Sequence, residues 1–217
     1  MEKPGYNEGY IRGKIASAKY YRSRPRRTGR DRLPPGQKLI GARFPVLDLG
    51  LRPDFNPKTW RLRVNGEVEN PQELTYEELL NLPKTVITTD FHCVTHWSKF
   101  DVQWGGVRFV DLLEIVKPTD AAEFVITECA DGYTTDNSLE EMLDENVLLA
   151  YELDGAPLPR EHGWPVRIII PHLYAWKGGK FLKALRFQDE DEPGFWETRG
   201  YHNHGDPWTE ERYDDDI

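Results

Sequence analysis

The body of this chain offers no long helix, and that limits its fold more than any other feature. Its clearest helical periodicity, Val107 to Val116, must stop before Pro118. Elsewhere the apolar residues come in short runs. Trp60–Val64 alternates as a strand should, and Asn65-Gly66 is a hairpin-turn signal that predicts an antiparallel return over Glu67–Glu69. Thr75 with Glu78 three residues on predicts a capping box at the start of a short helix ending near Leu80. Val86–Thr89, Phe124–Thr127, Leu148–Leu153 and Lys183–Phe187 read as strands and Leu139–Leu143 as a short helix, while the continuous apolar run Val166–Ile170 suits a buried strand. Irregular alternation of short elements excludes a doubly wound sheet and predicts an α+β fold with a large β component.

A chain of 217 residues suits one sizeable domain with an added arm. Two cysteines, Cys93 and Cys129, cannot build a disulfide framework of the secreted kind, so a cytoplasmic location with both thiols reduced is expected. No apolar run approaches the length of a membrane span, and the polar residues after Arg26-Arg27 argue against an export signal. The net charge of −9 is unevenly placed: residues 1–38 hold 11 Lys/Arg against 3 Asp/Glu, and everything after them is acidic. The expected organisation is a basic arm, 1–38, with a short helix over Ile11–Tyr21, followed by one domain, 39–217. The arm could touch a nucleic-acid backbone or a membrane surface, or pack on its own acidic domain or stay mobile; it forms no recognisable nucleic-acid fold and the acidic body would repel phosphates. No nucleic-acid partner is expected.

Cys93 follows a β-rich segment in Asp90-Phe-His-Cys-Val-Thr-His-Trp-Ser98. A thiolate there could hold molybdenum, copper, zinc or an iron–sulfur centre, and a lone cysteine is also often a plain core residue. Cys93, His96, His202 and His204 could together supply four zinc ligands, although the two pairs lie far apart in sequence.

Phe91–Ser98 followed by Trp104-Gly-Gly-Val resembles the molybdenum-ligand segment of the sulfite oxidase superfamily. The likeness is closest to the short bacterial type that includes catalytic subunits of periplasmic methionine sulfoxide reductase. It continues in order through Ala130–Thr135, Gly155–Arg167, Pro171–Lys177 and Gly194–Asn203, so that it spans roughly residues 40–213. The resemblance implies a β-rich sulfite oxidase-type molybdopterin-binding fold, with molybdenum and molybdopterin as cofactors and Cys93 as the metal ligand. The cofactor would carry the two-electron chemistry while the protein supplies position and electrostatics.

Further site residues follow from the resemblance. Lys177-Gly178-Gly179-Lys180 would cradle the pterin phosphate, with backbone approach at the glycines and charge from the lysines. His162 and Arg167 match cofactor-contacting positions, and burying Arg167 without an anion would be costly. Cys129 matches a position lining the cofactor pocket, and Phe44 and Asp48 fall in the first pterin-contacting segment. Tyr133, His96 and Thr95 flank the metal and are candidates to donate protons or hydrogen bonds. An arginine cluster for a sulfite dianion cannot be assembled from these motifs.

The expected activity is therefore oxygen-atom transfer on a small molecule, a sulfoxide, sulfite or similar oxyanion. A non-catalytic protein that carries the molybdenum cofactor is the alternative. No haem-attachment motif and no second domain for dimerisation is recognised, so a monomer served by a separate electron-transfer partner is expected.

Overall fold

A computed structural model describes residues 32–214. The helix expected over Ile11–Tyr21 lies outside the described residues. The last part of the basic arm, Arg32–Lys38, does not stand apart: it lies along the body, where Lys38 N–H donates to His96 O at 3.0 Å.

Two sheets form the frame. The first is built on the long strand β5 (Trp97–Arg108), which pairs antiparallel with β4 (Lys84–Cys93) on one edge. Along its other edge lie β1 (Lys38–Leu39, parallel) and β8 (Leu148–Leu153, antiparallel), and β8 continues to β10 (Arg167–Ile169) and β9 (Ala156–Pro157). The second sheet runs β3 (Gln72–Thr75), β2 (Arg61–Gly66), β11 (Leu182–Gln188), β6 (Phe124–Cys129), β7 (Thr134–Ser138). β11 is parallel to β2 and antiparallel to β6. Among the described residues three short helices, α1 (Tyr76–Leu80), α2 (Phe109–Val116) and α3 (Leu139–Met142), complete the mixed, β-rich architecture. Among the described residues no helix is long and apolar enough to cross a membrane.

The main core lies between the sheets. Leu62, Val64, Leu185 and Phe187 of the second sheet meet Val107, Leu149, Tyr151 and Ile168 of the first, and Phe109, Leu112 and Val116 of α2 join them. A smaller cluster on the far face of the first sheet contains Trp104, Leu148, Ala150 and Ile169. The first sheet is thus buried on both faces, which is why β8 and β10 read as unbroken apolar runs.

Local chemistry explains the elements that matched. Thr75 Oγ1 accepts from Glu78 N–H while the Glu78 carboxylate accepts from Thr75 N–H, closing the expected capping box. Lys117 adopts a left-handed conformation (φ 51°) and ends α2 before Pro118. The Asn65-Gly66 hairpin is a correction. Gly66 stays within β2 beside β11, and a Cβ there would stand 2.0 Å from Phe187 O. The glycine serves that close approach, and the antiparallel return is made later, by Gln72–Thr75.

Candidate functional site

Cys93 sits at the tip of the β4–β5 hairpin, paired with Trp97. The turn between them closes through His96 N–H to Cys93 O (3.2 Å), with His96 in the left-handed region at φ 67°. The thiol opens onto a cavity of about 330 Å³, and its sulfur lies 3.1 Å from Thr95 Oγ1.

Most of the site residues expected from the sequence line this cavity, namely Phe44, Asp48, Cys93, Tyr133, His162, Arg167, Gly178 and Lys180, together with Thr95. Arg167 opens β10 and is only 4% exposed. Its Nη1 donates to His162 O at 3.0 Å, but its Nε reaches no acceptor among the described residues, and burial lowers its pKa to about 10. His162 ends a 3-10 turn and lies against Phe44, ring centroids 4.6 Å apart. Burial and then the Arg167 charge lower its pKa to about 4, so the imidazole is neutral at neutral pH. Lys180 Nζ donates to Glu161 O at 3.0 Å. Burial pushes the Asp48 carboxyl up, but the Arg52 guanidinium at 2.9 Å and the Gly50 N–H outweigh it and hold it below its usual range.

The aromatic part of the wall comes from Trp176, Trp196 and Tyr201, which stack edge to face and tilted at 4.9–5.3 Å. Sequence reasoning passed over these three as members of motifs, and passed over Asp131 as well. Asp131 is nearly fully buried on the cavity and accepts from Tyr133 N–H; burial raises its pKa to about 6. Its place in the Ala130–Thr135 motif was the available signal.

Four expected residues do not line the cavity. Lys177 turns away: its ammonium is buried against Asp136 (3.1 Å) and Glu197 (2.8 Å) and also donates to Asn203 O. Cys129 lies behind Gly179, where a Cβ on the glycine would come within 2.6 Å of its sulfur. Burial and the nearby Asp131 push its thiol well above the ordinary range. The gap left by Gly179 is therefore filled by Cys129 and Thr127. His96 turns to the segment before β1, with Nδ1 donating to Gly36 O at 3.0 Å.

The zinc alternative is corrected too. His204 is bonded to Glu141 and Glu211, remote in its contacts from Cys93, and among the described residues no group of three His, Cys, Asp or Glu could hold a metal ion.

The residues present fit an anionic, metal-bearing cofactor. A soft sulfur faces the cavity, and a buried guanidinium on the same wall has an unpartnered donor.

Comparison with known proteins agrees. Residues 49–196 match the oxidoreductase molybdopterin binding domain. The chain is 43% identical over 183 residues to the uncharacterized oxidoreductase YuiH of Bacillus subtilis, which covers 84% of this chain and 92% of that protein. It is 28% identical over 167 residues to the protein-methionine-sulfoxide reductase catalytic subunit MsrP of Campylobacter jejuni (69% of this chain, 56% of that protein). To the sulfite oxidase of Arabidopsis thaliana it is 26% identical over 210 residues (77% and 53%). The chain thus spans about half the length of the reductase and the sulfite oxidase. The sulfane dehydrogenase SoxCD from Paracoccus pantotrophus shares its fold, with a TM-score of 0.59 at 24% identity over 64% of this chain and 40% of that one. On the match of motif, fold and cavity, this chain is an oxidoreductase of the molybdopterin-binding, sulfite oxidase-like family.

Proposed function

We propose that the protein transfers an oxygen atom to or from a small neutral oxide, such as a sulfoxide, at a molybdenum centre held by the Cys93 thiolate. The observation that carries this reading is the meeting, on one cavity, of the Cys93 sulfur and the buried Arg167, whose Nε has no partner among the described residues. Arg167 and Lys180 would hold the pterin phosphate, and the Phe44–His162 ring pair would flank the pterin. When bound, the molybdenum supplies the two-electron exchange of the oxygen atom.

The chain's own groups have separate tasks. With Cys93 as thiolate acceptor, the Thr95 hydroxyl becomes the donor to its sulfur. The Tyr133 hydroxyl is held by Trp176 O, which fixes the phenol against the aromatic wall. Asp131, with its pKa near 6, can hold and release a proton at the cavity near neutral pH. Trp176, Trp196 and Tyr201 exclude water and offer an apolar surface to the substrate. A neutral oxide is favoured over sulfite because Arg167 and Lys180, the two cations on the cavity wall among the described residues, are assigned to the phosphate. Electrons would be exchanged with a separate redox partner.

The test is metal and pterin analysis of wild-type protein beside Cys93→Ser, followed by turnover with a reduced dye and a panel of S- and N-oxides, and with sulfite and an oxidised dye. The expected result is near-stoichiometric molybdenum and pterin in the wild type with turnover of neutral oxides. Zinc without pterin, in cells that make the cofactor, would sink the reading.

A further inference from the structure

A hairpin tip is ordinarily the loosest part of a sheet, yet the tip that carries Cys93 is held from outside the hairpin by residues near both ends of the described chain. Gln37 Nε2 donates to Cys93 O at 3.0 Å in a buried contact. Arg212 Nη1 donates to the next carbonyl, Val94 O, at 2.7 Å, and its Nη2 reaches Pro35 O at 3.2 Å. Gly36 O accepts from the His96 ring, and Lys38 N–H donates to His96 O. The carbonyls at positions 93, 94 and 96 are therefore each engaged by a group from another segment.

Arg212 does more than donate. It is 4% exposed, and its guanidinium lies over the Tyr174 ring, 4.8 Å from the centroid. Tyr174 is itself fully buried and stacks on Trp176 of the cavity wall at 5.2 Å. One side chain thus ties the cysteine turn to the aromatic wall and places a buried positive charge one peptide from Cys93. Glu210 is the acid nearest to it, at 3.7 Å.

We propose that Gln37 and Arg212 are positioning residues for Cys93: they fix the direction in which its sulfur enters the cavity, and the Arg212 charge tunes the electronic state of the metal bound there. This rests on the reading of Cys93 as the molybdenum ligand. Both residues lie outside the stretch 49–196 that matches the family domain. Groups that orient and polarise a metal's ligand act on its spectrum and on turnover, and their loss ordinarily costs about 10–100-fold in activity or metal affinity.

The test uses the holoenzyme and its Cys93→Ser, Gln37→Leu, Arg212→Lys and Arg212→Ala variants. Molybdenum and pterin content, the electron paramagnetic resonance signal of the half-reduced metal, and kcat and KM with a dye donor are measured in each. Gln37→Leu is the cleaner variant, since it removes one donor while also removing a buried amide oxygen that has no partner among the described residues. The expected result is that Gln37→Leu and Arg212→Ala retain cofactor but show a shifted or split signal. Their kcat should fall about tenfold or more with KM within about twofold. Arg212→Lys, which keeps the charge but not the paired donors, should fall between Arg212→Ala and the wild type. If Cys93→Ser alters the signal while Gln37→Leu and the folded Arg212 variants superimpose on the wild type, positioning is overturned. If Cys93→Ser itself superimposes on the wild type, the ligand assignment fails first and this proposal falls with it. Should Arg212→Ala fail to fold, Gln37→Leu decides the question alone.

Discussion

Arg167 and Lys177 both bury a full positive charge, and their surroundings could hardly differ more. Lys177 is enclosed by protein: Asp136 and Glu197 flank its ammonium, Thr135 donates to the same Glu197, and Asn137 donates to the lysine's own carbonyl. Arg167 has two aromatic faces, Phe91 and Trp104, one carbonyl and a cavity. No salt bridge reaches it among the described residues. A buried charge is tolerated when it is paired. The Lys177 region is paired by the chain itself and is architecture, whereas the Arg167 region, unpaired by any carboxylate of the described residues, suits the proposed pterin phosphate.

The largest expected effect tests the closed region. Lys177→Met would strand two buried carboxylates and should cost about 3–5 kcal/mol of stability, read as a fall in the urea midpoint. An unchanged midpoint would break the comparison at its first term.

Next in size is the pH dependence set by Asp131. Its carboxyl rises from 3.8 to about 6 on folding. The unfolded chain therefore releases this proton first as pH rises. Stability from this group is highest below about pH 4, falls between about 4 and 6, and is flat above. A two-unit shift is worth up to about 3 kcal/mol. Cofactor-free Asp131→Asn should lose that slope in a stability-versus-pH series; an identical slope would show that the carboxyl is solvated.

Arg167→Met sharpens the contrast with Lys177→Met. With no internal carboxylate to strand, it should leave the cofactor-free protein as stable as the wild type or more so, while pterin retention after gel filtration drops about 10–100-fold. A large loss of stability with full retention would reverse the roles assigned to the two cations. The smallest expected change lies beside it. Burial and then the Arg167 charge keep the His162 pKa at about 4, so the same variant should raise it part of the way towards 6.5, seen in an NMR titration of the imidazole.

The two lysines of Lys177-Gly-Gly-Lys180 show what was legible in the sequence and what was not. Motif order picked out a segment that reaches the cavity wall through Gly178 and Lys180, but nothing local distinguishes a lysine that faces the cavity from one that turns inward. That choice is made by Asp136 and Glu197, contributed from elsewhere in the chain. The same two residues explain why β7 went unrecognised. Its Thr135, Asp136 and Asn137 are buried polar groups with distant partners, so the strand carries no apolar alternation. β5 was hidden for a related reason. Gly105 and Gly106 weaken a strand pattern, yet the second is required there: a Cβ on Gly106 would stand 2.2 Å from Leu149 O of β8. What was legible rested on short-range chemistry, such as the Thr75–Glu78 cap, or on two-faced burial, as in β8 and β10. Cys93 was legible through its motif, but the supports beneath it were not, since Gln37 and Arg212 stand outside every motif.

Those supports also impose an order of events. Synthesis runs from the N-terminus, so Gln37 is made before the cysteine and Arg212 long after it. At about 5–20 residues per second, on the order of ten seconds separate the sulfur from the guanidinium that steadies its turn. During that interval the ribosome holds a thiol with half its scaffold, and the finished geometry belongs only to a chain whose stretch around Arg212 has emerged and folded back onto the hairpin.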